Sequence, residues 1–364
     1  MRAQPMRPVH ELMAQAVRRR YFPSAVLLVA TDGQPVLYQA YGDCDLDTVF
    51  DLASLTKPLA LGAVVMRLVA EGKLAYGARL ASLVPELAGC EVGGVRVSQL
   101  LAHGSGLPAW RPYFERTSGI PVAKRRDAIR RWVAEEPLEH PPGSQAVYSD
   151  LGYILLDWAV ERSAGARLHD LARRMVYEPL ELSRTGFVDL LRPGARQALR
   201  QRPGWTFAAT ELLAGRRQRL VAEVHDDNCR AMGGVSGHAG LFSTAHDVHL
   251  LVRELVAAYH GGRSLFAPKV VRQAWRRSPV PGSSWALGWD TPSGETPSCG
   301  RYFGTGAVGH LGFTGTSVWL DPARRLWVIL LTNRVYFGRE PNPMRLFRPQ
   351  LHDRVMRALM GRAV

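Results

Sequence analysis

The sequence predicts an α+β protein in which an antiparallel sheet drawn from both chain ends lies beside a mainly helical inserted region. Strand patterns occur at residues 24–42 and return at residues 284–333. Between them, helical periodicity dominates residues 55–260. Strands separated by a long helical run are typical of α+β folds, and a ligand site is expected in the cleft between the two parts.

The N-terminal part is predicted to be a helix followed by a β-hairpin. Residues 8–20 have the pattern of a helix that packs on the next segment of the chain. The stretch SAVLLVATDGQPVLYQAYG, residues 24–42, contains two apolar segments joined by Asp32-Gly33. Because this dipeptide favours a tight hairpin turn, we expect two antiparallel strands.

The central part is predicted to be helical. In LALGAVVMRLVAEG, apolar residues recur at helical spacing until Gly72 ends the segment. LGYILLDWAVERSAG and LHDLARRMVYEPL share this period. Thr244, with Asp247 three residues later, resembles a capping box that opens the helix AHDVHLLVRELVAAY.

Strands are expected again near the C-terminus, before a last helix at about residues 347–360. The predicted strands are residues 284–290, 307–312, 316–322 and 325–333. We expect a single domain, residues 1–364. Its sheet part would span about 1–52 and 265–364, and its helical part about 53–264.

Composition limits the class of protein. A hydrophobic content of 46% and a charged content of 21% are ordinary for a globular protein. Net charge is +14, and only four of the 46 basic residues are lysines, so 42 are arginines. Arginine patches can bind phosphate, but no recognition motif accompanies them here. We therefore expect a solvated basic surface and no nucleic-acid partner.

The sequence gives no sign of a membrane segment or a secretory signal, since no continuous apolar run of about 18–20 residues is visible. The four cysteines are far apart and form no CxxC pair, which favours free thiols in a reducing compartment. We expect a cytoplasmic protein. Its oligomeric state is left open.

The stretch LASLTKPLA, residues 52–60, is the first candidate site. Pro58 is tolerated in the first turn of a helix, so the helix should begin near Ser54. Residues three apart share a helix face, which brings the Lys57 amine over the Ser54 hydroxyl. A serine becomes a good nucleophile when a nearby base takes its proton, and a desolvated lysine can do this. The four residues alone leave open a helix-capping Ser54 and a solvated Lys57.

Two further stretches supply candidate partners. In QAVYSDLGYILLDWAV, Tyr148 could serve as a base if a neighbouring ammonium lowers its pKa. In GHLGFTGTS, residues 309–317, Gly312 would let a substrate backbone approach closely, and the Phe313 N–H could bind an oxyanion. The alternatives are a tyrosine that packs on the core with its hydroxyl in water, and a bent edge strand.

Together these stretches resemble the motifs of the serine β-lactamase and penicillin-binding-protein superfamily. The resemblance is to its class C-like branch of esterases and D-alanyl-D-alanine carboxypeptidases, and it runs from about residue 10 to 360. That family carries S-x-x-K, Y-x-N, and K-T-G or H-x-G. The matching residues here are Ser54-Leu55-Thr56-Lys57, Tyr148-Ser149-Asp150 and His310-Leu311-Gly312.

The resemblance implies a five-stranded antiparallel sheet flanked by helices and catalysis through an acyl-enzyme, with no cofactor and no metal. Ser54 would be the nucleophile, and Lys57 and Tyr148 would move its proton. The N–H groups of Ser54 and Phe313 would form the oxyanion hole. The residues expected to bind substrate are Asp150, His310 and Gly312.

Two departures from the family pattern bear on the substrate. Asp150 stands where relatives usually have asparagine, and a carboxylate can only accept hydrogen bonds. Leu311 lacks the hydroxyl of the usual threonine. We therefore expect a small ester or amide as the substrate. The alternatives are a D-alanyl-D-alanine carboxypeptidase, a weak β-lactamase, or a catalytically silent binding protein of the same fold. His310, with an ordinary pKa near 6.5, is expected to gain charge as the pH falls to 6.

Other polar residues are expected to be structural. His225, Asp226, Asp227 and Asn228 are adjacent and could suggest a metal site. Alternate side chains of an extended segment point apart, however, so we interpret the four as shaping a loop. His103 and His238 are likewise expected to be structural.

Overall fold

A computed structural model describes residues 6–361 of the chain. It contains a five-stranded antiparallel sheet and a small three-stranded sheet. The strands, in chain order, are β1 (Ser24–Thr31), β2 (Gln34–Gly42), β3 (Phe50–Asp51), β4 (Gly186–Phe187), β5 (Leu241–Ser243), β6 (Val308–Leu311), β7 (Ser317–Asp321) and β8 (Leu326–Thr332). The main sheet has the order β2-β1-β8-β7-β6, so both chain ends build it, as the sequence predicts.

The predicted N-terminal hairpin is present. Strands β1 and β2 pair from Ser24 opposite Gly42 to Thr31 opposite Gln34. Asp32 and Gly33 both have positive φ, 49° and 82°, which is what a two-residue turn between right-twisted strands requires. On its other side β1 pairs with β8, and this joins the two ends of the chain.

The strand predicted at residues 284–290 is wrong. Gly288, at φ 86°, turns the chain back, so that Trp285 and Asp290 form only an isolated bridge. Asp290 is then attached to the edge of β6, where its N–H donates to the Gly309 carbonyl at 2.7 Å. The segment is therefore a loop that covers the end of the sheet.

The three-stranded sheet has the order β3-β5-β4, and two of its strands, β4 and β5, lie within the region predicted to be helical. Its strands have only two or three residues each, too few to show an alternating pattern in the sequence. Strand β3 leads directly into Ser54, and the Leu52 N–H donates to the Leu241 carbonyl at 2.9 Å. The small sheet therefore fixes the chain just before the first candidate site residue.

One helix precedes the first strand, one follows the last, and the others lie between the strands of the main sheet in the sequence. In chain order they are α1 (Arg7–Arg18), α2 (Ala63–Ala70), α3 (Leu80–Leu83), α4 (Val97–Leu101), α5 (Val122–Ala134), α6 (Asp150–Ala164), α7 (Leu168–Ala172), α8 (Ala195–Arg200), α9 (Asp227–Ala231), α10 (Ala245–Tyr259), α11 (Pro268–Ala274) and α12 (Met344–Met360). Short 3₁₀ or π segments occupy Ala53–Leu55, Lys57–Gly62, Pro85–Leu87, Glu91–Gly94, Tyr113–Thr117, Arg173–Tyr177 and Arg334–Phe337. Of the two hydrogen bonds of the predicted capping box of α10, one is present. Thr244 accepts from the Asp247 N–H at 3.2 Å, whereas the Asp247 carboxylate accepts from Arg184 and Thr185.

The segment Ala53–Ala70 is helical throughout and lies in the core. Among residues 6–361 it is the one helical stretch that is long and apolar enough to cross a membrane, with a mean hydropathy of 1.4. Inside this structure 78% of it is buried, as in a helix that packs at the centre of a fold.

The main sheet is covered on both faces, which explains why β1 shows no polar alternation. Val26, Leu28 and Ala30 join a cluster with the helical region. Ala25, Leu27 and Val29 point the other way and pack with the apolar residues of α1 and α12. Each face therefore buries every second side chain of the strand.

Candidate active site

Ser54 stands at a sharp change of direction between β3 and the core helix. The preceding residue, Ala53, has φ 47°, a left-handed conformation that is strained for a residue with a Cβ. Its N–H donates to the buried Asp51 carboxylate at 2.9 Å, which holds the turn. The turn leaves Ser54 at the start of the helix, facing the cleft.

The Lys57 amine lies over the Ser54 hydroxyl, as the spacing predicts. Its side chain is 0% exposed, which excludes the alternative of a solvated first-turn lysine. Lys57 Nζ is 3.0 Å from Ser54 Oγ, 2.7 Å from Asp150 Oδ1 and 3.2 Å from the carbonyl of His238. Burial by itself would lower the pKa of Lys57. The charge of Asp150 and the hydrogen-bonding contacts with Asp150 and the Tyr148 hydroxyl together outweigh burial, so the pKa of Lys57 is raised above its ordinary value.

Tyr148 lies beside this lysine. The centroid of its ring is 4.8 Å from Lys57 Nζ, and its hydroxyl faces Lys57 and Ser54. Burial raises the pKa of Tyr148 above 10, although the Lys57 charge opposes the rise. The expectation of a lowered pKa is therefore wrong, because desolvation of the phenolate outweighs the attraction of the ammonium. Tyr148 is a phenol in the resting protein.

His310 projects from β6 towards the same place and is 1% exposed. Its Nδ1 lies 2.9 Å from the Leu311 carbonyl, so this nitrogen carries the proton and Nε2 has a free lone pair. Burial, followed by the charge of Lys57, lowers the pKa of His310 to about 3. His310 therefore stays uncharged between pH 6 and 7.5, and the expected gain of charge does not occur.

The Phe313 amide is available as the second oxyanion donor. Within residues 6–361 its N–H donates to no protein acceptor. The carbonyl of Phe313 is held in place, because it accepts a hydrogen bond from Arg334 Nε at 2.9 Å. The ring is held between the Arg334 guanidinium, 4.6 Å from its centroid, and the stacked ring of His225 at 5.7 Å.

Gly312 lines the cleft, but its small size serves the protein's own packing. A Cβ at this residue would overlap Thr316 Oγ1 and lie 2.7 Å from the Leu52 carbonyl. The close approach that the structure shows is that of the Leu52 segment, and the close approach of a substrate backbone stays a prediction.

The stretch His225–Asn228 shapes a loop. Asp226 accepts from the Cys229 N–H at 2.7 Å and so caps α9, while Asn228 accepts from the Phe114 N–H at 2.9 Å. His225 Nε2 lies 2.8 Å from Glu211. Over residues 6–361, no three side chains of His, Cys, Asp or Glu converge in the manner of metal ligands.

His103 and His238 hold parts of the site in place. His103 Nδ1 accepts from the Ser149 N–H at 3.0 Å, and its ring packs on Tyr148 at 4.5 Å between centroids. His238 is held between Ser236 Oγ at 2.8 Å and Asp226 at 2.9 Å, and this orients the carbonyl that accepts from Lys57.

Together these residues line a cleft of about 700 Å³. Ser54, Tyr148, Asp150, His310, Gly312 and Phe313 are all on its wall. Sequence reasoning missed several further wall residues, which are Trp110, Trp285, Asn342, Arg345 and Arg348. Trp110 and Trp285 lie in loops, Asn342 lies just before α12, and Arg345 and Arg348 lie in its first turns. No motif in the sequence marks them.

The arrangement suits acyl transfer, and comparisons with known proteins find relatives in sequence and in fold. Residues 9–350 match the family described as Beta-lactamase. A putative D-alanyl-D-alanine carboxypeptidase of Salmonella schwarzengrund is 31% identical over 353 residues, covering 86% of this chain and 79% of the relative. A protein of the same description from Salmonella agona is 30% identical with the same coverage.

Solved structures share the fold. EstCE1, described as a hydrolase with promiscuous acyltransferase activity, has a TM-score of 0.71 at 21% identity, covering 97% of this chain and 98% of its own. The octameric penicillin-binding protein homologue from Pyrococcus abyssi has a TM-score of 0.73 at 18% identity, covering 97% and 77%. The fold, the matched residues and the curated relatives lead to one conclusion: the chain belongs to the β-lactamase family of serine hydrolases, which also includes the penicillin-binding proteins.

Proposed function

We propose that the protein hydrolyses esters through an acyl-enzyme on Ser54. The observation that carries the proposal is the 3.0 Å contact between Lys57 Nζ and Ser54 Oγ. The same cleft contains the Phe313 N–H, which donates to no acceptor among residues 6–361. A nucleophile, a buried amine and an oxyanion donor are the parts that acyl transfer needs.

In the acylation step, Ser54 Oγ attacks the carbonyl carbon of the ester while its proton passes to Lys57 in the neutral amine form. The N–H groups of Ser54 and Phe313 donate to the oxyanion that forms. The tetrahedral intermediate then breaks its bond to the alkoxide. The alkoxide takes a proton from the Tyr148 phenol, which recovers one from the Lys57 ammonium.

Deacylation repeats these movements with water. A water molecule attacks the acyl carbon and gives its proton to Lys57. The ester bond to Ser54 Oγ breaks, and Ser54 regains a proton through Tyr148. One water is consumed, and an acid and an alcohol are released, so no other reactant is needed.

Two features of the wall support an ester as the substrate. Asp150 faces the cleft with an acceptor-only carboxylate, so it cannot donate to a substrate carbonyl or amide oxygen. Trp110, Leu311 and Phe313 give the cleft an apolar side suited to an acyl chain. Phe313 is 47% exposed and Trp110 42% exposed, so a substrate could cover both.

The test is covalent labelling by a fluorophosphonate together with turnover of short-chain nitrophenyl esters. Ser54→Ala should lose both, while its thermal unfolding curve stays close to that of wild type. The matched control is Ser82→Ala, which changes an exposed serine on α3 and should be labelled and turn over as wild type does. Labelling of Ser54→Ala at the wild-type rate would disprove an acyl-enzyme on Ser54.

A carboxypeptidase is the second candidate, and Arg345 favours it. This arginine lines the cleft, is exposed, and forms no salt bridge to any residue among 6–361. A terminal carboxylate of a peptide could pair with it. The curated relatives described as putative D-alanyl-D-alanine carboxypeptidases point the same way. A panel of nitrophenyl esters, D-alanyl-D-alanine peptides and nitrocefin separates the candidates by their kcat/KM values.

A further inference from the structure

The environment of Lys57 Nζ has the number of acceptors that an ammonium group needs. Three acceptors lie within hydrogen-bond distance, Ser54 Oγ, Asp150 Oδ1 and the His238 carbonyl, and Asp150 is the nearest at 2.7 Å. The Tyr148 hydroxyl also faces the amine. An ammonium has three N–H donors and no lone pair. With all three used, Lys57 donates to Ser54 and cannot take its proton.

A neutral amine fits the same position with one change. It would keep two N–H donors for Asp150 and the His238 carbonyl and would direct its lone pair at Ser54. Ser54 would then donate its hydroxyl proton to Lys57 Nζ. The loss of one proton from Lys57 therefore converts the resting arrangement into the one that activates the serine.

We propose that Asp150 is a positioning residue that holds Lys57 as an ammonium in the resting enzyme and thereby sets the pH range in which Ser54 can be acylated. This inference rests on the proposed function of Ser54. Asp150 is 18% exposed and stands where the substrate cleft meets Lys57, so its charge acts on the lysine at short range. An asparagine at this position would keep the oxygen acceptor for Lys57 and lose the charge.

Other groups near Lys57 contribute less than Asp150. The Tyr148 hydroxyl also favours the ammonium form, but it comes after the Asp150 charge. Tyr148 and Tyr153 are neutral phenols whose pKa values burial raises. Burial lowers the pKa of His103 and His310, so both are uncharged at neutral pH. Asp226 is anionic, with a lowered pKa, but its carboxylate is paired with His238. Asp150 is thus the anion in direct contact with the amine.

The test compares Asp150→Asn with wild type in two ways. The first is the rate of fluorophosphonate labelling of Ser54 against pH, which reports acylation alone. If neutral Lys57 is the reactive form, the ascending limb should move to lower pH by about one to three units. A one-unit shift means about tenfold faster labelling at each pH on that limb.

The second readout does not depend on activity. The chain has four lysines, at positions 57, 73, 124 and 269, so the Cε signals of labelled lysine can be followed singly by NMR. Lys57→Arg identifies the signal of Lys57. Its titration should move to lower pH in Asp150→Asn. The control Asp47→Asn removes a carboxylate that is 66% exposed, and should leave both the labelling profile and the Lys57 titration unchanged.

The outcomes separate this inference from the proposed function. An unchanged titration of Lys57 in Asp150→Asn overturns the inference, whether or not the enzyme is active. Slower labelling at every pH, with the fold intact, also overturns it, because Asp150 would then take part in the proton transfer itself. Failure of wild type to label at Ser54 contradicts the proposed function, and the Lys57 titration still decides the role of Asp150.

Discussion

Gly312 packs so closely on Thr316 that the hydroxyl of Thr316 fills the space in which a Cβ at residue 312 would lie. Thr316 Oγ1 also donates to the Leu52 carbonyl at 3.1 Å, and Thr314 Oγ1 donates to the Asp51 carbonyl at 2.8 Å. The turn between β6 and β7 is thereby attached to the chain just before Ser54. These contacts fix the distance between the two proposed oxyanion donors.

Gly312→Ala should therefore lower both stability and activity. The added methyl group would overlap Thr316 and press on the Leu52 carbonyl, and overpacking of this kind costs about 1–3 kcal/mol. Thermal unfolding and kcat for a nitrophenyl ester measure the two effects. Gly306→Ala is the control, since a Cβ there meets no atom within 4 Å. Equal melting temperatures for the two variants would contradict the packing argument.

Lys57→Ala and Tyr148→Phe should each reduce kcat severely, and the double variant should be little worse than either. Both residues act on the same proton, so removing one disables the path that the other serves. Steady-state kinetics of the three variants measure the coupling. If the two losses multiplied in the double variant, Lys57 and Tyr148 would act independently and the proposed relay would be wrong.

Most of the fold could be predicted from the sequence because its signals are local. The Asp32-Gly33 turn specifies the hairpin, and the apolar spacing after Pro58 specifies the core helix. The aromatic pattern of residues 284–290 is strand-like, and on its own it predicts a strand that the structure does not contain. The left-handed Gly288 overrides that pattern by turning the chain back on itself.

The candidate site could be predicted in part for the same reason. Ser54 and Lys57 are neighbours along one helix, so their contact is determined by the spacing. The environment of each side chain is not determined by spacing. The raised pKa of Tyr148 and the lowered pKa of His310 come from burial by residues distant in the sequence. Arg345 reaches the cleft only because α12 packs against the sheet.

His352 should make the protein less stable in mild acid. It is 0% exposed, its Nδ1 lies 2.9 Å from the Ser298 carbonyl, and burial lowers its pKa to about 4. As the pH falls below about 6.5, the unfolded chain binds a proton that the folded protein does not bind until about pH 4. Stability is therefore lost across this window, by up to about 3 kcal/mol from this residue.

The measurement for His352 is urea unfolding of wild type and His352→Asn between pH 7 and 4.5. Asparagine keeps a donor for the Ser298 carbonyl and cannot be protonated in this range. Wild type should be the more stable at pH 7, and its advantage should shrink steadily as the pH falls. A constant difference in the free energy of unfolding would show that His352 titrates alike in the folded and unfolded states.

Preference for substrates with a carboxylate should depend on Arg345 and not on pH. His310 remains neutral between pH 6 and 7.5 because its pKa is lowered to about 3, so it supplies no charge in this range. The ratio of kcat/KM for a carboxylate-bearing ester to that for its neutral analogue should therefore stay flat. The ratio cancels the general loss of activity that follows as the small neutral fraction of Lys57 falls with pH. Arg345→Ala should lower the ratio by up to about fivefold at every pH, since an exposed ion pair contributes about 0.2–1 kcal/mol.

The control is Arg272→Ala, which changes an arginine on α11 that is not part of the cleft wall and should leave the ratio unchanged. A ratio that rises as wild type is taken from pH 7.5 to 6 would mean that His310 gains charge beside the substrate.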